Sequence, residues 1–213
     1  MTNPYRNQSP TGQTSSRPEI IYEIIYELKS VLDRLPLDAL FDVERPLEVE
    51  LGSGDGSFLL EYAKRHPERN FIGVERLLGR LRKLERKGRR AGVLNVRGVR
   101  IESSYFLEYL LPLRAASVLH LYFPDPWPKR KHRRHRLVNE RFVEVARAAL
   151  VPGGKLYLRT DDPDYFAQAV DCFAGGGFSP VETPEELAAV KTDFEEAFEQ
   201  RGTATLKCGW QIT

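Results

Sequence analysis

The chain has 213 residues, 41% hydrophobic and 29% charged, which suits one globular α/β domain and leaves too little for two full domains with linkers. No apolar run approaches the roughly 20 residues of a membrane-spanning helix, the opening residues lack the apolar segment of a secretory signal, and Cys172 and Cys208 alone build neither a disulfide framework nor a four-cysteine zinc site. The expectation is a cytoplasmic protein with no membrane partner. The net charge of +2 hides an uneven distribution: Arg76 to Arg90 is cationic apart from Glu85, Lys129 to Arg136 forms a second basic cluster, and Asp161 to Glu199 is acidic apart from Lys191. A molecule polarised in this way is suited to turn one face to a polyanion.

Residues 1–18 are rich in Pro, Ser, Thr, Asn and Gln and cannot offset their ordering entropy by burial, so they read as a disordered tail before a single domain over 19–213. From Glu19, the placement of Ile20, Ile21, Ile24, Ile25, Leu28, Val31 and Leu32 predicts an amphipathic N-terminal helix. Beyond Pro46, short apolar runs alternate with amphipathic stretches, the pattern of a parallel sheet with crossover helices. Strands are predicted from Leu47, Asn70, Asn95, Ser117 and Gly154. Helices are predicted over Gly56 to His66, Arg76 to Ala91, Ser103 to Leu111, Arg136 to Leu150 and Pro163 to Ala174. Leu77, Leu81 and Leu84 share the inner face of the second of these, and Gly202 to Ile212 holds one or two further strands.

The first strand runs into Glu50-Leu51-Gly52-Ser53-Gly54-Asp55-Gly56 and then a helix. Glycines there permit a tight strand-to-helix turn and close approach of a ligand to the backbone. The G-x-G-x-G spacing departs from the G-x-G-x-x-G form that seats a pyrophosphate, and suits a nucleoside without phosphate; a plain tight turn is the other reading. Glu75 ends the second strand, where a carboxylate accepts from both ribose hydroxyls of an adenosine ligand, or caps the helix that follows. Together these resemble the cofactor site of class I S-adenosylmethionine-dependent methyltransferases, and Leu150 to Leu158 looks like that fold's entry to strand five. The resemblance implies a doubly wound, mostly parallel seven-stranded sheet of Rossmann-like α/β class, and it places Glu102 near the adenine.

The fourth predicted strand leads into Phe123-Pro124-Asp125-Pro126-Trp127-Pro128-Lys129 and a basic run to Arg136. In a doubly wound sheet this loop lies beside the glycine turn at the topological switch point, so Asp125 falls between cofactor and substrate. Two prolines restrain the backbone around Asp125 and Trp127. Trp127 offers a stacking face or a buried anchor, and the basic run grips phosphates or forms a solvated face.

FPDPWPK with its basic run, the Glu50 to Gly56 loop and Gly73-Val74-Glu75 resemble the signatures of bacterial tRNA (guanine-N7-)-methyltransferases, over nearly the whole chain from Pro18 to Trp210. The resemblance implies S-adenosylmethionine as methyl donor, with Glu50, Gly52, Gly54, Glu75, Glu102 and Asp125 at the cofactor. It implies tRNA as partner, with Lys129, Asp161 and Thr192-Asp193-Phe194-Glu195 at the guanosine; Phe198 to Gly202 offers a competing register for that last element. Asp161 is alternatively a helix cap before Pro163. Asp125 is the catalytic candidate, with Glu195 as a second carboxylate near the developing charge. His120 reads as a core histidine, while His132 and His135 face RNA without the neighbours a metal site needs. The implied reaction is methylation of N7 of guanosine-46 in the variable loop, with no metal, by a monomer or homodimer. Methylation at another RNA base or atom, a nicotinamide-dependent oxidoreductase and a non-catalytic RNA-binding protein are the competing readings.

Overall fold

The computed structural model describes residues 23–213. The strands are β1 (Ile25–Tyr26), β2 (Leu47–Leu51), β3 (Asn70–Val74), β4 (Val96–Val99), β5 (Ala116–Tyr122), β6 (Leu150–Thr160), β7 (Phe178–Val181) and β8 (Leu206–Ile212). They form one eight-stranded sheet in the order β1-β4-β3-β2-β5-β6-β8-β7, one strand more than the seven that the resemblance implies. Pairing is parallel from β1 to β6, and β8 runs antiparallel between β6 and β7. The chain leaves β2 toward β3 and β4, then returns to β5 on the other side of β2, so the topological switch point lies between β2 and β5.

β1 and β7 are the strands that the sequence pattern does not place. Residues 1–18 and the first turn of the helix predicted from Glu19 lie outside the described residues, and the described part of that segment forms no helix. Ile24 O accepts a 2.7 Å hydrogen bond from Gly98 N at the open edge of β4, where β-branched residues pack well. The Ile24 side chain fills a notch at Gly88, where a Cβ would stand 2.3 Å from its Cδ1. Val31 and Leu32 are exposed, so the predicted apolar helix face is not assembled.

Helices cover both faces. α1 (Leu37–Leu40), α5 (Glu140–Ala149) and α6 (Pro163–Ala174) pack on one face together with α4 (Ser103–Tyr105) and the π-helical turn Phe106–Leu110 that continues it; α2 (Ser57–Arg65), α3 (Leu78–Ala91) and α7 (Glu185–Ala188) pack on the other. The remaining elements are a 3₁₀ helix over Arg130–His135 and α8 (Asp193–Gln200). β7, α7 and α8 are absent from the sequence-based expectation. Leu81 and Leu84 are buried as expected, but Leu77 precedes α3 and is exposed. The helix predicted from Arg136 begins only at Glu140, where Asn139 Oδ1 accepts from Phe142 N (3.0 Å).

The two faces of the sheet differ in chemistry. Side chains alternate along a strand, and one face presents Val49, Leu51, Leu119, Leu121, Leu156 and Leu158 to a wholly apolar layer. The alternate positions of the same central strands hold Glu48, Glu50, His120, Tyr122, Tyr157 and Arg159, all buried. Buried polar groups need partners. His120 Nε2 lies 2.6 Å from Glu48 Oε2 and its Nδ1 2.8 Å from the Tyr122 hydroxyl, while Arg69 Nη1 donates to Glu48 Oε1 at 2.7 Å. His120 is thus a satisfied core residue. Burial pushes the Glu48 carboxyl up, but His120 and Arg69 outweigh it and hold Glu48 below the usual carboxylate range.

Candidate active site

Two adjoining clefts, of about 650 Å³ and about 420 Å³, open at the carboxyl ends of β2 and β5. They share Gly52, Arg80, Tyr122, Phe123 and Asp125.

The glycine turn is built by backbone bonding to β3: Gly52 N and Ser53 N both donate to Val74 O at 2.9 Å. Gly52, Gly54 and Gly56 have φ of +84°, +57° and +77°, a region that L side chains resist. A Cβ at Gly52 or Gly54 would meet nothing within 4 Å, because the backbone there borders open cleft. Glu75 is buried and ties this turn to α3, with Oε2 accepting from Gly54 N (3.1 Å) and Oε1 from Leu77 N (2.6 Å). Lys87 Nζ donates to Asp55 Oδ2 at 2.8 Å, a second tie. Glu102 sits in the larger cleft with Glu75, where its carboxylate caps α4 by accepting from Ser104 N (3.0 Å) and Tyr105 N (2.8 Å).

Glu50 lies in the smaller cleft, 4% exposed, and its Oε2 has no hydrogen-bond partner among the described residues. Burial raises its pKa to about 8; the Arg159 charge opposes the shift, and Asp55 and Glu75 add to it. An orphaned carboxyl oxygen beside a glycine turn fits a ligand that brings its own donor or cation.

Asp125 stands at the junction of the two clefts, exposed and without a hydrogen bond or ion pair among the described residues. Its loop is held open by strained backbone: Phe123 and Trp127 have φ of +49° and +44°, a cost that persists only where surroundings enforce it. The enforcing group is Arg136, 2% exposed. Its Nε donates to Pro126 O (2.7 Å), its Nη1 to Gln168 Oε1 (2.9 Å), and its Nη2 pairs with Asp164 at 2.7 Å. The last member of the predicted phosphate-gripping run is therefore a buried strut, whereas Lys129 to His135 remain at the surface. Trp127 is 38% exposed in the larger cleft, with its ring against His132 and His135.

Thr192, Asp193 and Phe194 wall the smaller cleft. Thr192 caps α8, its hydroxyl accepting from Glu195 N at 3.0 Å. Glu195 is placed differently from the expectation of a carboxylate facing substrate. It is fully buried behind the wall, with Oε2 2.8 Å from Arg159 Nη1 and Oε1 2.6 Å from Lys207 Nζ. Arg159 also donates to Leu187 O and Val190 O, and lies 4.3 Å over the Tyr122 ring. The fold brings Glu50, Gly52, Gly54, Glu75, Glu102, Asp125, Thr192, Asp193 and Phe194 to the joined clefts, while Lys129 and Asp161 line neither. The cap of α6 is Asp162, which accepts from Tyr165 N at 2.8 Å, and not Asp161. Arg159 and Arg136 are missed by sequence reasoning; the one available signal is an arginine inside an otherwise apolar strand.

A family model described as "Putative methyltransferase" matches residues 44–208. The chain is 34% identical over 183 residues to a tRNA (guanine-N(7)-)-methyltransferase of Rubrobacter xylanophilus, with 84% of this chain and 82% of that protein covered. It belongs to the tRNA (guanine-N(7)-)-methyltransferase family. Family members of the same name from Thermotoga maritima (32% identity, 84% of this chain and 59% of that protein) and Chromohalobacter salexigens (36%, 79% and 70%) are also similar. Among solved structures, the 16S rRNA methyltransferase KamB superposes with a TM-score of 0.62 at 17% identity, over 83% of this chain and 92% of that one. The antibiotic-resistance methyltransferase Kmr does so at 0.55 and 21%, over 83% and 91%. These two share with this chain the class I methyltransferase fold. Among the described residues, no cluster of three or more His, Cys, Asp or Glu is arranged to hold a metal, and no helix is long and apolar enough to cross a membrane.

Proposed function

We propose that this protein methylates N7 of a guanosine in tRNA, guanosine-46 of the variable loop, with S-adenosylmethionine as donor. Family membership supports the reaction class, and the observation that carries the site is Asp125, an unpaired carboxylate where the two clefts meet.

The residues present fit the donor. Glu75, at the end of β3, would accept from the ribose hydroxyls, Glu102 would lie beside the adenine, and Gly52 and Gly54 would let the ligand lie against the backbone. The orphaned Glu50 oxygen suits the methionine ammonium. When bound, S-adenosylmethionine supplies an electrophilic methyl group on a sulfonium. N7 of neutral guanine carries no proton, so no side chain need act as a base. The protein's contribution is then positioning and electrostatics: Phe194 offers an exposed ring for a base to lie on, and Asp125 opposes the positive charge that the purine acquires. Arg159 and Glu195 hold the Thr192 to Phe194 wall in place, and Lys129 to His135 would meet phosphates.

Incubation with labelled S-adenosylmethionine and unmodified tRNA transcripts, followed by borohydride and aniline cleavage, tests the reading, because that chemistry cuts at N7-methylguanosine. Cleavage in the variable loop is expected. Labelled RNA without such cleavage overturns the N7 assignment in favour of another base or atom, and tRNA binding without labelling overturns the enzyme reading.

A further inference from the structure

We propose that the outer face of α3 is a phosphate-binding ridge for tRNA, lying outside the clefts and anchoring the RNA on the rim opposite the 3₁₀ helix. The inference rests on the tRNA reading above and adds to it a second contact surface. α3 buries Leu81, Leu84 and Gly88 against the sheet. A helix turns about 100° per residue, so Arg82, Arg86 and Arg90, four residues apart, form one stripe on the side away from those three, over about 12 Å of axis. All three are exposed. Among the described residues none of them makes an ion pair; the only carboxylates answering this helix are Asp55, taken by Lys87, and Glu85, taken by Arg89.

The arrangement is unfavourable for the isolated fold. Like charges at i and i+4 oppose a helix, and α3 has no acidic residue in its first turn, where Arg80 stands against the helix dipole. Glu75 at the helix N-terminus and the pairs Lys87–Asp55 and Arg89–Glu85 answer part of this charge, but among the described residues no carboxylate pairs with Arg82, Arg86 or Arg90, and an external polyanion would. Arg76 and Arg80 line the larger cleft from the α3 side and Arg134 from the 3₁₀ side, so guanidinium groups from both elements reach it. The stripe begins two residues after Arg80 and runs from there along the helix, outside the cleft. Duplex nucleic acid carries one negative charge per about 1.7 Å of axis, which supplies phosphates along its whole length.

The test compares the full chain with the triple variant Arg82→Gln/Arg86→Gln/Arg90→Gln, none of whose positions lines a cleft. Equilibrium binding of a tRNA transcript is measured between 50 and 300 mM salt, together with steady-state methylation, cofactor binding and thermal melting. The variant is expected to melt no lower than the parent. The magnitude of its log–log salt slope should be smaller by about 2 to 3 and its KM for tRNA higher by about tenfold or more at moderate salt, with kcat and cofactor affinity unchanged. Equal slopes and affinities would overturn the ridge and make this a solvated face. A parent that does not bind tRNA would overturn it as well, as would a variant that keeps its tRNA slope but loses binding to anionic phospholipid vesicles, which would assign the face to lipid. Loss of slope in the variant supports the ridge even if the parent leaves N7 unmethylated, so failure of the ridge and failure of the N7 assignment give different results.

Discussion

Arg159 and Glu195 form a buried ion pair, 2.8 Å apart and each 1% exposed at the side chain, that joins β6 to the helix walling the smaller cleft. Removing one partner of such a pair strands the other charge in the interior and costs about 3–5 kcal/mol. Arg159→Met is therefore expected to lower the unfolding free energy by that amount in urea titration. It also leaves Leu187 O and Val190 O without their donor. The double variant Arg159→Met/Glu195→Leu should lose less than the sum of the two single losses, because Glu195→Leu strands the buried Arg159 charge and Arg159→Met leaves Glu195 to Lys207 alone. Additive losses would show that the pair carries no coupling.

Asp125→Ala should separate catalysis from folding. The side chain is exposed and makes no hydrogen bond or ion pair among the described residues, so melting should shift by no more than about 0.5 kcal/mol equivalent. Turnover at saturating tRNA and S-adenosylmethionine should fall by about 10²-fold or more if the carboxylate opposes the charge developing on the purine. A kcat close to the parent's would remove Asp125 from the mechanism.

Gly54→Ala puts a side chain into the left-handed backbone of the glycine turn and a methyl group into open cleft. The backbone strain is about 1 kcal/mol, visible as a modest loss of stability. S-adenosylmethionine binding, measured by calorimetry, should weaken by more than that strain accounts for, because the methyl group occupies ligand space. Gly79→Ala, in the first turn of α3 with nothing within 4 Å and no positive φ, is the control expected to leave binding intact.

Glu50 gives a pH dependence of definite sign. Burial holds its pKa at about 8 in the folded protein against an ordinary value of 4.5, with Arg159 opposing the shift and Asp55 and Glu75 adding to it. Between those two values the folded state retains a proton that the unfolded chain has released, so Glu50 makes the ligand-free protein less stable as pH rises from about 4.5 to about 8 and no further above that. Glu50→Gln removes this slope. The stability of the variant relative to the parent, from urea titrations at pH 5, 6.5 and 8, should therefore rise with pH. A ligand ammonium beside Glu50 favours the ionised form, so S-adenosylmethionine binding near neutral pH should release a proton, seen as a buffer-dependent calorimetric heat that the variant lacks.

The parallel half of the sheet is legible in the sequence because its strands, such as Leu47–Leu51 and Asn70–Val74, are short apolar runs between turns. The glycine turn, Glu75 and Asp125 are legible because spacing and strand ends place them. The polar inner face is not. Glu48, His120 and Arg159 interrupt apolar strands, and a sequence shows a charged residue without showing the partner that makes its burial tolerable. For the same reason Glu195 reads as a substrate carboxylate, when two cations 36 and 12 residues away claim both its oxygens. β1 escapes notice because an isoleucine-rich segment satisfies a helical period, and only the vacant edge of β4 and the notch at Gly88 turn it into a strand.

The strut at Arg136 extends the active site beyond its own walls. Pro126 O is anchored through one guanidinium to Gln168 and Asp164 on α6, so the loop that carries Asp125 has its shape before any ligand arrives. The entropy of ordering it is met during folding and not at each encounter with substrate. Turnover therefore depends on a helix that lines neither cleft, and changes on the far side of α6 would reach the chemistry through the backbone of a single proline.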